Sequence, residues 1–153
     1  MTVPYKCEGF HTATPYLICK DAKAAIDFYK KAFNATEIMQ LDMPDGRLAH
    51  GEIKIGDSPI MLSDEHPDMN IRGPKTLGGT PVSIMLYVED SDAMFAQALA
   101  AGAKELRPVK DQFYGDRSGT LEDPFGHHWT ISTHKEDVPP EELETRMKAA
   151  MGG

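Results

Sequence analysis

The chain contains one pattern twice, first as Thr14-Pro-Tyr-Leu-Ile-Cys-Lys-Asp21 and again as Thr80-Pro-Val-Ser-Ile-Met-Leu-Tyr-Val-Glu-Asp90. Each copy leads into a helical segment that ends at Asn34 or Gly102, residue types that tolerate the left-handed conformation of a helix C-terminus. The copies lie about 68 to 69 residues apart, a period too long for a solenoid. The sequence therefore predicts two fused modules, and we expect the function on the face that both share.

Hydrophobic periodicity and turn residues predict a strand, a helix and three further strands in each copy. The first copy has predicted strands at 13–19, 36–43, 47–55 and 59–64 with a helix capped by Asp21, and the second has strands at 81–89, 104–111, 117–122 and 127–133 with a helix at 90–101. The predicted fold class is α+β, with two tandem β-α-β-β-β modules that form a curled mixed sheet.

The chain divides into five predicted segments: an N-terminal extension at 1–11, a first module at 12–65, a linker at 66–79, a second module at 80–135 and a C-terminal helical tail at 136–153. The linker is rich in glycine and has no hydrophobic period of its own. Such a linker lets modules pair within one chain or between two chains. Because half-barrel modules leave strand edges and apolar faces to be covered, we expect a homodimer.

Composition limits the classes of partner. The net charge of −8 argues against nucleic acid and anionic membrane surfaces, and no run approaches the roughly 20 apolar residues of a spanning helix. Cys7 and Cys19 make no disulfide framework, which fits a reducing compartment. We therefore expect a soluble cytoplasmic protein whose partner is a neutral or cationic small molecule.

Period-two alternation assigns each strand a helix-covered face and an open face. On this count Val82, Leu86 and Ile131 belong to the core, while Ser63 and Ser132 open toward the cleft. The residues predicted to line one continuous ligand pocket are Tyr16, His50, Glu52, Met61, Met85, Tyr87 and Thr130, with Phe113 and Arg117 at its rim.

Three segments carry a resemblance to a known family: Ala25-Ile-Asp-Phe-Tyr-Lys-Lys-Ala-Phe33, Ala49-His-Gly-Glu-Ile-Lys-Ile-Gly-Asp57 and Asp123-Pro-Phe-Gly126. Over residues 12–135 the chain resembles the glyoxalase/bleomycin-resistance/dioxygenase group, the vicinal oxygen chelate superfamily, and is most similar to its PhnB-like branch. The resemblance implies paired β-α-β-β-β modules around a cleft. It does not specify the activity, because the superfamily includes lyases, isomerases, dioxygenases, thiol transferases and drug-binding proteins.

The resemblance also implies where a metal would lie. Enzymes of this group place a His or Glu ligand on the first and last strands of each module, and these positions fall on Thr14, Met61, Ser83 and Thr130. Hydroxyls and a thioether are poor ligands for a divalent ion that needs imidazole or carboxylate. We therefore predict no metal at this position. The chain also has no phosphate loop and no dinucleotide fingerprint, so no cofactor is predicted.

Two groups of residues leave alternatives open. His50 and Glu52 share a strand face, where they could hold a metal or act as an acid/base pair; otherwise His50 donates to a neighbouring carbonyl and Glu52 lines a pocket for a cation. Arg117 could clamp an anionic ligand beside Phe113, or it could pair with Asp116 or Glu122 at the surface.

The combined expectation is a protein that binds a small organic molecule in the cleft without the usual divalent metal centre. A narrower form of this expectation is drug sequestration, since acidic charge and Tyr, Phe and Met side chains suit a cationic aromatic ligand. The alternative is a metal-dependent lyase or dioxygenase that uses His50 and Glu52. His134, at the end of the second module, is expected to be solvated.

Overall fold

The computed structural model describes residues 2–152, which form two four-stranded sheets with helices. The chain groups into two compact units, one with the residues up to Thr80 and Pro124–Gly126, the other with Pro81–Asp123 and the residues from His127 onward. The elements of the first unit are β1 (Tyr16–Cys19), α1 (Ala22–Phe33), β2 (Thr36–Asp42), β3 (Leu48–Ile55), β4 (Ser58–Asp64) and the one-turn helix α2 (Pro74–Leu77). Those of the second are β5 (Ser83–Tyr87), α3 (Ser91–Ala101), β6 (Lys104–Asp111), β7 (Asp116–Glu122), β8 (His128–His134) and α4 (Pro140–Ala150).

Each unit repeats the same sheet. The strand orders are β1-β4-β3-β2 and β5-β8-β7-β6, and in each sheet the first pair is parallel while the others are antiparallel. Tyr16 pairs with Met61 in the first sheet and Met85 with Thr130 in the second, at equivalent positions of the repeat. The predicted α+β fold and the β-α-β-β-β repeat are therefore confirmed.

The helices begin and end as their sequences indicate. Asp21 accepts a hydrogen bond from the Ala24 N–H at 3.1 Å, and Asp90 caps α3 in the same way through Ala93. Asn34 ends α1 in the left-handed conformation with φ of 57°. The apolar stripe of α1 that packs into the core is Ala22, Ala25, Ile26, Phe28, Tyr29, Ala32 and Phe33.

A glycine at the same place in each sheet lets the helix approach closely. A Cβ on Gly51 would lie 2.8 Å from Leu48 Cδ2 and 3.3 Å from Ile26 Cδ1. A Cβ on Gly119 would lie 2.9 Å from the Phe95 ring. The distances of 2.8 and 2.9 Å are too short for a methyl group, so each sheet favours a glycine at this position, which a side chain of the helix also approaches.

A buried polar side chain at the end of β4 joins three elements. The Asp64 carboxylate accepts the N–H of Ala22 at 2.9 Å and the N–H of Leu48 at 2.6 Å. The equivalent residue of the second unit is Thr133, whose hydroxyl accepts the N–H of Ser91 at 2.9 Å and donates to the Val88 carbonyl at 2.8 Å. Two different side chains therefore satisfy the first turn of the helix in the two units.

Some predicted burial differs from the structure. Val82 lies just before β5 and is 64% exposed, so its assignment to the core is wrong. Ser63 and Ser132, predicted to be open, are buried. Their hydroxyls donate to the Asp64 carbonyl and to the Asp116 carboxylate, respectively. Alternation predicts the side of the sheet, whereas the depth of a residue depends on neighbours that are distant in sequence.

The segment predicted as a linker is folded by local turns. His66 and Ile71 exchange two backbone hydrogen bonds around the 3-10 helix Pro67–Met69, and Asn70 closes that turn with φ of 59°. Gly73 donates its N–H to Glu65, and a Cβ on Gly73 would lie 2.7 Å from the Ile18 carbonyl oxygen. The segment therefore lies directly against β1, although its sequence has no hydrophobic period.

Gly115→Ala tests the turn before β7. Gly115 has φ of 102° and accepts hydrogen bonds from the N–H groups of Lys135 and Glu136, and an added Cβ would overlap the Glu136 carbonyl oxygen. We expect Gly115→Ala to lower the free energy of unfolding by about 3 kcal/mol or more, measured by urea denaturation. Gly46→Ala is the matched control, because Gly46 also has positive φ but has open space around it, and it should cost about 1 to 2 kcal/mol. Equal losses would show that the contact with Glu136 does not matter.

Candidate functional site

A chain of three hydrogen-bonded side chains crosses the open face of the first sheet. The Tyr16 hydroxyl lies 2.8 Å from His50 Nδ1, and His50 Nε2 lies 2.9 Å from Glu52 Oε2. The His50 and Glu52 side chains are 26% and 14% exposed, so the pair is shielded while Tyr16 remains accessible. His50 thus contacts a carboxylate and a phenol instead of a backbone carbonyl. We call these three residues the Tyr16–His50–Glu52 relay.

The chemistry of the relay follows from the acceptor at its end. An ionised Glu52 can only accept hydrogen bonds, so Nε2 of His50 carries a hydrogen. A neutral His50 then has an unprotonated Nδ1, which accepts the Tyr16 hydroxyl proton. In that state the Tyr16 oxygen presents lone pairs to anything that approaches the open face. The relay therefore fixes the hydrogen-bonding role of its exposed end.

A β-bulge beside His50 turns Leu48 into the core while His50 stays on the open face. Leu41 pairs with His50 but the next residue, Asp42, pairs with Leu48, so Ala49 is an extra residue on β3. In a regular strand Leu48 and His50 would point to the same side, whereas here Leu48 is fully buried and His50 is partly exposed. Bulges commonly redirect a side chain in this way next to functional sites. Counting back from Ile53 predicted the side of His50 correctly but gave no sign of the bulge.

A cavity of about 670 Å³ lies at one end of the same face, within the first unit. One wall contains Tyr16, Ile18, Met43, Ala49 and Ser63. The other wall is formed by the segment after β4 and contains His66, Met69, Asn70, Ile71 and Arg72. Tyr16 connects the cavity to the relay. Sequence reasoning missed the second wall, and its one available signal was the pair of apolar residues Met69 and Ile71 in a polar stretch.

The predicted site residues of the second unit share a face of their own sheet. Met85 pairs with Thr130, whose hydroxyl lies 3.1 Å from that of Thr120, and Tyr87 pairs with Ser132. The residues equivalent to Tyr16, His50 and Glu52 are Met85, Ser118 and Thr120. The relay is therefore not repeated at these positions of the second unit.

The second unit has a different polar cluster around a buried carboxylate. Asp116 accepts hydrogen bonds from the hydroxyls of Tyr87 and Ser132, both at 3.2 Å, and lies 2.7 Å from His134 Nδ1. His134 Nε2 lies 2.7 Å from Asp137, so His134 is exposed, as expected, but is also bonded to two carboxylates. Hydrogen bonds to Asp116 and Asp137 raise the pKa of His134. Partial desolvation and the charge of Asp116 raise the pKa of Tyr87.

Arg117 is held by two carboxylates. Its Nε and Nη2 donate to Asp92 at 2.7 and 3.1 Å, and its Nη1 donates to Asp111 at 3.2 Å. These hydrogen bonds raise the pKa of Arg117 and lower that of Asp92. The structure thus shows the ion-paired alternative, with partners other than the expected Asp116 and Glu122. An anionic ligand at this position would have to compete with Asp92, to which Arg117 is bound through two nitrogens.

Phe113 lies in the turn between β6 and β7. Its ring contacts Tyr114 edge to face, with centroids 5.2 Å apart. Its carbonyl accepts a hydrogen bond from Arg146 of α4 at 3.2 Å. The backbone of Phe113 therefore anchors the C-terminal helix, and its role as a ligand contact stays a prediction.

The four positions at which the resemblance would place a metal centre do not suit a divalent ion. Thr14, Ser83 and Thr130 offer hydroxyls and Met61 offers a thioether, and Ser83 Oγ already lies 3.5 Å from Thr130 Oγ1. Such donors bind zinc, iron or manganese poorly. Within residues 2–152 no group of three or more His, Cys, Asp and Glu side chains is arranged to hold a metal ion.

Comparison with known proteins agrees with the fold. Residues 10–131 match the profile of the Glyoxalase/Bleomycin resistance protein/Dioxygenase superfamily, and the chain belongs to that family. An uncharacterized protein of Mycobacterium bovis is 43% identical over 143 residues, which cover 92% of this chain and 94% of that protein. No helix within residues 2–152 has the length and apolar character needed to cross a membrane.

Two solved structures show the same fold at low sequence identity. A PhnB protein from Bacillus cereus, described as a putative 3-demethylubiquinone-9 3-methyltransferase, has a TM-score of 0.64 at 19% identity and covers 80% of this chain and 99% of its own. The fosfomycin resistance protein FosX from Mesorhizobium loti has a TM-score of 0.60 at 16% identity and covers 82% and 92%. At these identities the likeness concerns the fold alone.

The His134 cluster predicts a pH dependence of stability. Because the pKa of His134 is raised in the folded state, its charged form stabilises the fold below the ordinary value of 6.5, and this contribution is lost as the pH rises through the raised value. We expect the difference in Tm between the wild type and His134→Gln to be largest near about pH 6 and to shrink above it. His11→Gln is the control, since His11 contacts a backbone carbonyl, that of Asp57. A difference that stays constant between mildly acidic and mildly alkaline pH would contradict the role of the charge.

Proposed function

We propose that this protein binds a small organic molecule at the open face of its first unit, through the relay and the adjoining cavity, without the divalent metal centre used by enzymes of its superfamily. The proposal extends to a cytoplasmic homodimer. The observation that carries it is the relay itself. Both ring nitrogens of His50 are engaged, one by Tyr16 and one by Glu52, so the residues that could have replaced the missing ligands already have partners.

Two further features support a binding site at this face. The relay is shielded at His50 and Glu52 and open at Tyr16, which gives a fixed polar contact beside an apolar surface. The adjoining cavity has a volume typical of small-molecule sites. Drug sequestration is a narrower form of the same proposal. A metal-dependent lyase or dioxygenase built on His50 and Glu52 is the alternative that the experiments below would reveal.

Elemental analysis and ligand binding test the two halves of the proposal. Protein purified without chelator should contain far less than one zinc, nickel, manganese or iron ion per chain. In a thermal-shift screen of small organic compounds, compounds that raise the Tm should bind Tyr16→Phe more weakly by about 1 kcal/mol, the typical value of one hydrogen bond. They should also bind Glu52→Gln more weakly, because His50 then loses the carboxylate that fixes its tautomer. Isothermal titration calorimetry measures this loss directly.

Glu37→Gln is the matched control for Glu52→Gln. It removes the same charge from a neighbouring strand, where Glu37 accepts hydrogen bonds from Lys30 and Gln40 at the protein surface. Stoichiometric metal that disappears in His50→Ala and Glu52→Ala would establish the metal-dependent alternative. If ligands bind Glu52→Gln and Glu37→Gln equally well, the relay is not part of the binding site.

The exposed residues of both sheets support the proposed homodimer. Leu41, Met85 and Tyr87, which lie outside the proposed ligand site, are between 44% and 65% exposed in the single chain. Apolar surface of this kind is commonly covered by a partner. We expect light scattering to give twice the chain mass of 16.9 kDa at micromolar concentration. A monomer across that range would contradict the homodimer and would leave the ligand proposal unaffected.

A further inference from the structure

We propose that the cavity of the first unit binds an organic carboxylate with an apolar body and a hydrogen-bond donor, with Arg72 contacting the carboxylate and Tyr16 accepting from the donor. The inference rests on the proposed function and specifies the ligand class for it. The net charge of −8 suggests a neutral or cationic ligand, whereas this inference specifies an anionic one.

The charge of the cavity wall differs from that of the whole chain. The sequence has 24 Asp and Glu against 16 Lys and Arg, yet the residues that line the cavity include Arg72 and no carboxylate. Glu52 is the acidic residue of the relay. Its carboxylate is bonded to His50 and does not line the cavity. An anion in this cavity would therefore meet a cationic group on walls that carry no carboxylate.

Arg72 is the guanidinium available for this contact. Arg72 interacts electrostatically with Glu65, which does not line the cavity, whereas the neighbouring Arg47 is bonded directly to Asp45 and to the Glu65 carbonyl. The Glu65 carboxylate accepts the N–H of Gly73 at 3.0 Å. The turn between His66 and Ile71 and the close packing of Gly73 on β1 hold the backbone on both sides of Arg72. An arginine on an ordered segment loses little freedom when it binds a planar carboxylate.

Tyr16 and Ser63 are the reason to expect a hydrogen-bond donor on the ligand. With His50 neutral, the Tyr16 proton is donated to Nδ1, so the phenolic oxygen accepts. The Ser63 hydroxyl donates to the Asp64 carbonyl at 3.0 Å, so its oxygen also accepts. Two acceptors on the same wall favour a ligand that carries an O–H or N–H.

The remaining lining favours an apolar body between these polar ends. Ile18, Met43, Met69 and Ile71 contribute aliphatic and thioether surface. Methionine side chains adapt to ligands of different shape and contact aromatic rings favourably. The volume of about 670 Å³ accommodates a substituted phenyl ring.

Three related probes separate the two contacts. 4-Hydroxyphenylacetate has both the carboxylate and the donor, phenylacetate lacks the donor, and 4-hydroxyphenethyl alcohol lacks the carboxylate. Binding is measured by calorimetry and by amide chemical shifts of residues 66–72 in the full chain. We expect 4-hydroxyphenylacetate to bind most tightly and to shift those amides.

Variants assign each contact to its residue. Arg72→Gln should weaken binding of 4-hydroxyphenylacetate by about 10-fold or more, as expected for loss of a charge-assisted bond, and should leave 4-hydroxyphenethyl alcohol unchanged. Arg72→Lys should be intermediate. Tyr16→Phe should weaken 4-hydroxyphenylacetate by about 5-fold without affecting phenylacetate. The controls are Lys31→Gln, which removes one positive charge from the exposed surface of α1, and Tyr5→Phe, which removes an exposed hydroxyl.

Several results would overturn the inference. These are equal affinities for Arg72→Gln and Lys31→Gln, absence of shifts in residues 66–72 with millimolar 4-hydroxyphenylacetate, or tighter binding of the uncharged probe. If the probes instead shift amides elsewhere on the open face of the first unit, this inference fails and the proposed function stands. Stoichiometric metal in the relay would overturn the proposed function. The comparison of Arg72→Gln with Lys31→Gln would still test whether Arg72 contacts the carboxylate.

Discussion

The buried carboxylate of Asp64 is the interaction on which the first unit depends. It accepts the first N–H of α1 and the N–H of Leu48 at the start of β3, so a single side chain fixes the helix to the sheet and the first residue of β3 beside the end of β4. The bulge at Ala49 follows at the next residue, so Leu48 points into the core while His50 lies on the open face. Removal of the carboxylate would leave two buried N–H groups without an acceptor and would release the strand that positions the relay.

The two units keep the backbone plan and differ in the side chains of the open face. Gly51 and Gly119 make the same close approach, and Asp64 and Thr133 satisfy the same end of a helix with different oxygens. By contrast, His50 corresponds to Ser118. Steric and hydrogen-bonding requirements of the core thus persist through the repeat, while the exposed face carries distinct chemistry in each unit. Membership of a superfamily defines the requirements of the core, whereas the chemistry of the exposed face is specific to the individual chain.

The parts of the fold that could be predicted are those with local causes. Helix caps, alternation and turn residues act within a few positions, so the repeat, its elements and the shared face of His50 and Glu52 follow from the sequence. The partners of Arg117 lie on α3 and β6, and the second wall of the cavity comes from a segment with no periodicity. Such contacts depend on how distant segments meet. It was therefore easier to predict which residues lie on the open face than to predict their hydrogen bonds and ion pairs.

The backbone anchors of the segment after β4 have a kinetic consequence. His66 and Ile71 are bonded to each other, and Gly73 has no room to move toward β1. If these anchors hold in solution, the proposed ligand would enter and leave through rotamer changes of Met69 and Arg72, which take nanoseconds, and not through a loop opening on the microsecond to millisecond scale. Occupancy would be governed by the lifetime of the contacts alone, with no gating step. Exchange broadening of the amides in this segment of the free protein would indicate a slower opening.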